Sequence, residues 1–554
     1  MVSKLYRVVV PVSAWLLMAP AFGQDADARL EKGLQAIQAT RMRVDLTYLS
    51  SDELEGRRSL EKGAERATEF IAAQFEKAGL KPAAGGSYFQ QVPLVEYRMD
   101  RSKTQLTVRA AGKKQTYPHG PDFSGGFPEN RSVRGGVVFA GYGITAPEFA
   151  YDDYAGLDVK GKIVLIFDHE PQENDPKSVF NGLGNSRHAG TRTKALQAYR
   201  HGAAAVLIAP EPNRKHLTNQ ERSARIPGSQ RRSRFASQAL SDSLWIPVFT
   251  VSDAVAATLL AATGKKAAEL QEAIDRTLKP ASCALSSTRA ELRAVTSERR
   301  RGVTTNVIGM LEGSTPALND EAILFTSHYD HLGKSEDGVY HGADDNGSGT
   351  VGVIELARAF AANGARPKRP ALFISFGAEE QGLLGSYYYT AHPLWPLNKT
   401  RAVINLDMIG RDEAPSAQTE GLMEIAQDTS NEFNLIGTVY SPQYREAIEH
   451  ENARVGLKIN YKWERDAALN ILFRCDHFPF LLHDIPSVWW FNGFQPDYHQ
   501  VTDTVEKINF TKMEKIVRLA YRTGWALADA AKTPAFRASV KAEEKSLQAA
   551  NQRR

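Results

Sequence analysis

Between residues 61 and 78 the apolar positions Ala64, Ala67, Phe70, Ile71, Phe75 and Ala78 recur with the period of an amphipathic helix, and Gly79 stands where such a helix ends in a left-handed residue. Residues 25–91 as a whole read as helical, and 92–133 as short strands and turns. From 134 onward the rhythm changes to short, wholly apolar runs at 136–140, 163–167, 203–208 and 246–251, with helical periods at 191–200 and 253–262. From 304 to 531 apolar runs at 322–326, 371–376, 402–406 and 487–491 alternate with helical segments, among them 350–362. A final helix opens on the capping box Thr511 and Glu514 and runs to 531. Alternating strand and helix predicts an α/β architecture with a mostly parallel central sheet. The divisions that follow are 1–23, 24–133, 134–290, 300–535 and a charged tail at 536–554.

A chain of 554 residues exceeds what one core supports, in keeping with several units. Basic and acidic side chains number 68 and 64, an excess too small for a nucleic-acid partner, and no basic cluster alternates with aromatics. Lys4 and Arg7, the apolar run 8–22 and the small-x-small sequence Ala21-Phe22-Gly23 form a signal peptide, so the mature chain is expected to begin near Gln24 in a secreted or periplasmic compartment. The run is short for a spanning helix and holds Pro11 and Pro20, so no stable membrane anchor is expected after cleavage. Cys283 and Cys475 are compatible with one disulfide or two free thiols. The polar, Arg-rich stretch 211–243 reads as a solvated loop rather than a surface for acidic partners.

Candidate chemistry gathers where the strands of 300–535 end, which is where open α/β sheets place their sites. His328-Tyr329-Asp330-His331 offers an imidazole ligand in His328 and a carboxylate to orient it in Asp330. Gly342-Ala343-Asp344-Asp345-Asn346-Gly347-Ser348-Gly349 crowds carboxylates where the chain turns into a helix. Asp344 is the candidate to bridge two metal ions, although an Asx turn would also account for the stretch. In Gly377-Ala378-Glu379-Glu380, two adjacent carboxylates repel unless a cation lies between them. Glu380 is read as a ligand and Glu379 as the general base. Asp407 ends an apolar strand, either paired with Arg411 or holding a metal with His328. His499, in Asp497-Tyr498-His499-Gln500, completes a second site with Glu380, and Tyr498 either packs or donates to a developing oxyanion. Two imidazoles, three carboxylate ligands and one base match a dinuclear centre.

These motifs, with G-A-E-E-Q-G-L-L-G-S, N-L-D-M-I-G-R and D-Y-H-Q-V-T-D-T, resemble the co-catalytic zinc aminopeptidase family that also contains glutamate carboxypeptidase and the transferrin receptor. The resemblance implies a zinc-exopeptidase (phosphorylase/hydrolase-like) α/β/α sandwich and two Zn2+ per chain. His328 and Asp407 would hold one ion, Glu380 and His499 the other, with Asp344 between them, Glu379 as base and peptides as substrates. It also implies a cis peptide between Asp344 and Asp345. G-Y-G-I, Y-D-D-Y, K-G-K-I-V-L-I and H-G-A-A-A-V-L-I resemble an inserted, β-rich protease-associated domain. L-S-S-D-E-L-E-G-R and E-K-A-G-L-K-P, within 46–92, look like the segment preceding that insertion. Cys475 stands where the family more often has Ser. Within the family an aminopeptidase is expected. A carboxypeptidase would need a cationic clamp for the terminal carboxylate, glutaminyl cyclisation would use one zinc, and a receptor-like relative would lack ligands.

Overall fold

The computed structural model describes residues 22–225, 236–239 and 244–538. The expected signal peptide therefore lies outside the described residues as far as residue 21, as do 226–235 and 240–243 of the Arg-rich stretch and 539–554 of the tail.

The larger sheet has ten strands. At its centre Ala371–Phe376, Ala322–His328, Thr400–Leu406 and Ser487–Phe491 lie side by side and parallel. Each of the four is apolar on both faces because both faces are covered. Ile323, Phe325, Phe373, Ile404 and Trp490 face a core shared with the helices Lys62–Lys77, Gly349–Ala362 and Phe510–Asp529. Leu324, Leu372, Ile374 and Val403 face the opposite layer, where Tyr389 and Phe480 pack. This is the α/β/α sandwich. Antiparallel strands extend it on both sides: Thr296–Leu311 and Phe89–Met99 beyond Ala371–Phe376, and Glu432–Ile436 beyond Ser487–Phe491.

The smaller sheet has eight strands, with Arg131–Phe139, Ile163–Phe167, Ala205–Ala209 and Val248–Val251 parallel to one another. It is an insertion into the larger sheet, to which it also returns one strand, Ala236–Ala239, paired with Phe89–Met99. The chain leaves the larger sheet after Phe89–Met99 and returns at Thr296–Leu311, its antiparallel partner. At this junction the Asp100 N–H donates to the Val295 carbonyl at 2.7 Å.

The sequence divisions shift accordingly. Residues 24–133 do not form a unit: their helices and Phe89–Met99 pack on the larger sheet, while Gln105–Ala110, Lys113–Pro118 and Phe123–Gly126 join the smaller one. The boundary near 290–300 falls between two long strands, Cys283–Ala294 and Thr296–Leu311. The last helix is capped by Asn509, whose side chain accepts from the Lys512 N–H at 3.1 Å, and not by Thr511. Glu514 instead accepts from the Ala39 N–H at 3.0 Å, tying on the amino-terminal helices. Neither cysteine is in a disulfide: Cys283 is half-buried and Cys475 is buried. Among the described residues no helix is long and apolar enough to cross a membrane.

Candidate metal centre

The carboxyl ends of the four parallel strands carry the cluster. Ala322–His328 ends on His328 itself, Asp407 follows Thr400–Leu406, and Glu379 and Glu380 follow Ala371–Phe376 by three and four positions. Ala378, Met408 and His499 adopt left-handed backbone (φ 59°, 56° and 59°), which turns each segment back toward the sheet end. The glycine-rich turn lies across these ends. Gly349 opens its helix so close to Leu406 that an added Cβ would meet the Leu406 carbonyl at 2.2 Å. Asn346 fixes the same junction, accepting from the Gly349 N–H (2.9 Å) and donating to the Leu406 carbonyl (3.0 Å).

Two groups of donor atoms result, joined by one carboxylate. His328 Nε2 lies 3.5 Å from Asp407 Oδ1 and 3.5 Å from Asp345 Oδ1. His499 Nε2 lies 3.0 Å from Asp345 Oδ2 and 3.2 Å from Glu380 Oε2. The carboxylate between the two imidazoles is therefore Asp345 and not Asp344, the residue expected from the sequence. Asp345 is in extended backbone (φ −102°, ψ 100°), where successive side chains point to opposite sides, so a shift of one residue exchanges the cluster for its support. Asp344 faces the other way: its carboxylate accepts from the Gly410 N–H at 2.8 Å and the Ser348 hydroxyl at 3.2 Å. The cis peptide likewise joins Asp345 to Asn346, one residue beyond the expected position. Asp503 accepts from the N–H groups of both Asp344 and Asp345, closing the turn from behind.

Asp330 orients His328 mainly through its backbone. His328 Nδ1 is 3.1 Å from the Asp330 carbonyl and 3.7 Å from its carboxylate. That carboxylate accepts instead from the Glu379 N–H at 3.0 Å, which sets the base candidate beside the cluster. Glu379 Oε2 lies 3.7 Å from His328 Nε2. Burial pushes the Glu379 carboxyl well above the ordinary carboxylate range against the pull of His328, with Asp476, Glu380 and Asp407 adding to the rise. Burial opposes a charge on His328 too, but the carboxylates of Glu379 and Asp407 outweigh it and raise that imidazole. Arg411 does not pair with Asp407; it binds Asp497 at 3.0 Å. Tyr498 packs, stacked on His499 at 3.9 Å, and its hydroxyl accepts from Arg474 at 2.9 Å.

Residues 306–523, which hold every member of this cluster, match peptidase family M28. Residues 130–259, within the inserted sheet, match the PA domain. Over these stretches the chain is similar to an M28 peptidase domain preceded by a PA domain. It is similar to an aminopeptidase, YwaD, of Bacillus subtilis, at 27% identity over 228 residues, covering 38% of this chain and 42% of the relative. It is also similar to a probable zinc metalloprotease of Pyrenophora tritici-repentis, at 25% identity over 261 residues, covering 42% and 58%. The matched stretch thus spans about half the length of these relatives. Among solved structures, the aminopeptidase from Aneurinibacillus sp. strain AM-1 aligns over 90% of this chain and 95% of its own, with a TM-score of 0.48 and 20% identity.

Besides Asp345, the fold places three further residues at the cluster to which the sequence reading assigned no part. His331 Nδ1 lies 2.7 Å from Glu380 Oε1, and its signal was the second imidazole of His328-Tyr329-Asp330-His331. The Cys475 thiol donates to Asp407 Oδ2 at 2.8 Å. Arg57, from L-E-G-R in the amino-terminal segment, is buried and donates to the carbonyls of Tyr329, Leu49, His341 and Gly342. It thereby fastens the His328 loop to the glycine-rich turn.

Proposed function

We propose that this protein is an exported, zinc-dependent aminopeptidase. One zinc would be held by His328, Asp407 and Asp345, a second by His499, Glu380 and Asp345. The observation that carries this reading is that the two oxygens of Asp345 face two different imidazoles, at 3.5 and 3.0 Å. The donor atoms suit the metal: His328 Nε2 and Asp407 Oδ1 are buried, and neither makes a hydrogen bond. Ligand atoms at zinc–ligand distances of about 2.0–2.2 Å in a tetrahedron stand roughly 3.3–3.6 Å apart, close to the separations here. Imidazole with carboxylate is a donor set that zinc accepts. The naming of relatives as an aminopeptidase and a probable zinc metalloprotease supports both metal and reaction.

Bound zinc supplies Lewis acidity and makes water a nucleophile near neutral pH. The protein's own part is proton handling and placement. Glu379 takes the proton of the attacking water and returns it to the leaving amine, and Asp330 holds the Glu379 backbone in place. The carboxylates of the cluster receive the positive α-amine of the substrate. A cavity of about 400 Å3 begins at Gln381 and Gly382, just past Glu380, and is lined by Phe127, Leu383, Phe473 and Phe478. It suits an apolar terminal side chain.

Hydrolysis of aminoacyl anilides, abolished by chelator and restored by zinc, tests the reading; activity that survives zinc removal contradicts it. Arg192 and Arg474 in the same cavity favour a second reading, a carboxypeptidase clamp for a terminal carboxylate. Cleavage of amino-blocked peptides with free carboxyl ends, and not of the anilides, would select it.

A further inference from the structure

We propose that the inserted PA domain holds a divalent cation of the zinc class, between His169 Nδ1, Glu173 Oε2, Glu211 Oε1 and His216 Nε2. One ligand atom of each of the four residues lies within 4.8 Å of the others. His169 Nδ1 is 3.1 Å and His216 Nε2 3.0 Å from the same oxygen of Glu173, and His216 Nε2 also touches Glu211 Oε1. Those two separations, 3.1 and 3.0 Å, approach the roughly 3.3–3.6 Å expected between ligands of a tetrahedral zinc.

The position follows the rule that builds the peptidase cluster. Ile163–Phe167 and Ala205–Ala209 are adjacent and parallel, with Phe167 opposite Ala209. His169 and Glu211 each stand two residues past those strand ends, where a parallel sheet gathers polar groups. Glu173 lies four residues beyond His169, and the chain after Glu211 folds back to bring in His216. The side chains of His169, Glu173, Glu211 and His216 are 1, 6, 0 and 6% exposed.

Protons alone do not satisfy this group. Glu211 Oε2 is buried without a hydrogen-bond partner. The single Nε2 of His216 faces two carboxylates, while its Nδ1 is taken up at 2.8 Å by the Leu217 carbonyl, the arrangement that fixes a metal-ligating imidazole. The nearest cations are engaged elsewhere: Lys194 with Asp168 and the carbonyls of Phe167 and His169, Arg222 with Asn219 and the carbonyls of Leu217 and Ala468. Two neutral imidazoles, two carboxylates and one divalent cation balance in charge. Four protein ligands make a closed, structural site. It would steady the joint between the two units: Arg222 donates to the Ala468 carbonyl at 3.2 Å and Asn185 to Asn470 at 3.1 Å, in the segment that leads to Arg474 and Cys475.

The test is zinc content per chain of the full-length protein, equilibrated with zinc and dialysed, for wild type, His216→Gln and Glu211→Gln. Each variant, checked for folding by circular dichroism, is expected to hold one zinc fewer than wild type while still hydrolysing the peptidase substrate. Folded variants with the zinc content of wild type overturn the proposal. Should both variants fail to fold, zinc-edge anomalous diffraction from zinc-equilibrated wild-type crystals decides: a peak between His169 and His216 supports the site, and its absence overturns it.

Discussion

Among the described residues, two buried groups of histidines and carboxylates stand at the carboxyl ends of parallel strands, one in each sheet. In the peptidase sheet four strands deliver side chains, and a glycine-rich turn lays Asp345 across them. In the inserted sheet only His169 and Glu211 follow strand ends, and loops supply the other two. A cavity opens at Gln381 and Gly382, the residues that follow Glu380 of the peptidase group, and Glu379 remains 10% exposed; Glu211 is fully enclosed. Parallel strand ends collect polar groups in both places, but a reaction needs an approach for substrate and a base beside the metal ligands. Only the first group has both.

The largest expected effect separates chemistry from metal holding. Glu379→Gln should lower kcat by about 10²- to 10⁴-fold with zinc content unchanged, the range that a positioned general base contributes. A rate near that of wild type, measured on metal-replete protein, would remove the distinction between the two groups. Next, only the peptidase group has a clamp from the amino-terminal segment. Arg57→Met strips donors from four carbonyls and should cost about 4 kcal/mol of stability, since each buried acceptor left alone costs about 1–3 kcal/mol. Denaturant unfolding would show it, with zinc lost from the peptidase group before the inserted one.

A pH effect sharpens the view of the joint between the units. Burial raises the Glu464 carboxyl from its ordinary 4.5 to about 7, against the N–H groups of Thr438 and Val439 that it accepts. The folded state then holds this proton more tightly than the unfolded chain. Its contribution is fully present below about pH 4.5, declines as pH rises through about 7, and is flat above. The decline amounts to about 3 kcal/mol at most, at 1.36 kcal/mol per pKa unit. Glu464→Gln should flatten it in melting curves taken across that range; an unchanged profile would place the titration elsewhere. The smallest effect is a control that touches no donor atom of either group: Asn509→Ala removes a helix cap and should cost about 1 kcal/mol, leaving zinc content alone.

Much of this was legible in the sequence. Runs apolar on both faces left no ambiguity at 371–376 and 487–491, and the structure keeps those bounds. His328, Glu379, Glu380, Asp407 and His499 could be picked out because each is polar where an apolar run stops. The choice of Asp344 over Asp345 was a question of phase. In an extended turn neighbouring side chains face opposite ways, and composition does not say which faces in. Thr511 with Glu514 imitated a capping box, yet Glu514 is used by Ala39, far away in sequence. Thr296–Leu311 was hidden because its first half is mostly exposed and carries Arg299, Arg300 and Arg301. The stretch after Ala209 read as a solvated loop, and its composition supports that, but His216 and Arg222 turn inward through contacts with residues 40 or more positions away, and Glu211 meets His216 there. Local pattern carries no record of such partners.

The central claim is that one carboxylate, Asp345, stands between two metal positions. Zinc content and peptidase rate of Asp345→Asn and Asp344→Asn, measured side by side on folded protein, address it most directly. Asp345→Asn should lose both zinc ions of the peptidase group together with activity, while Asp344→Asn keeps the zinc. Zinc retained in Asp345→Asn and lost in Asp344→Asn would contradict the account.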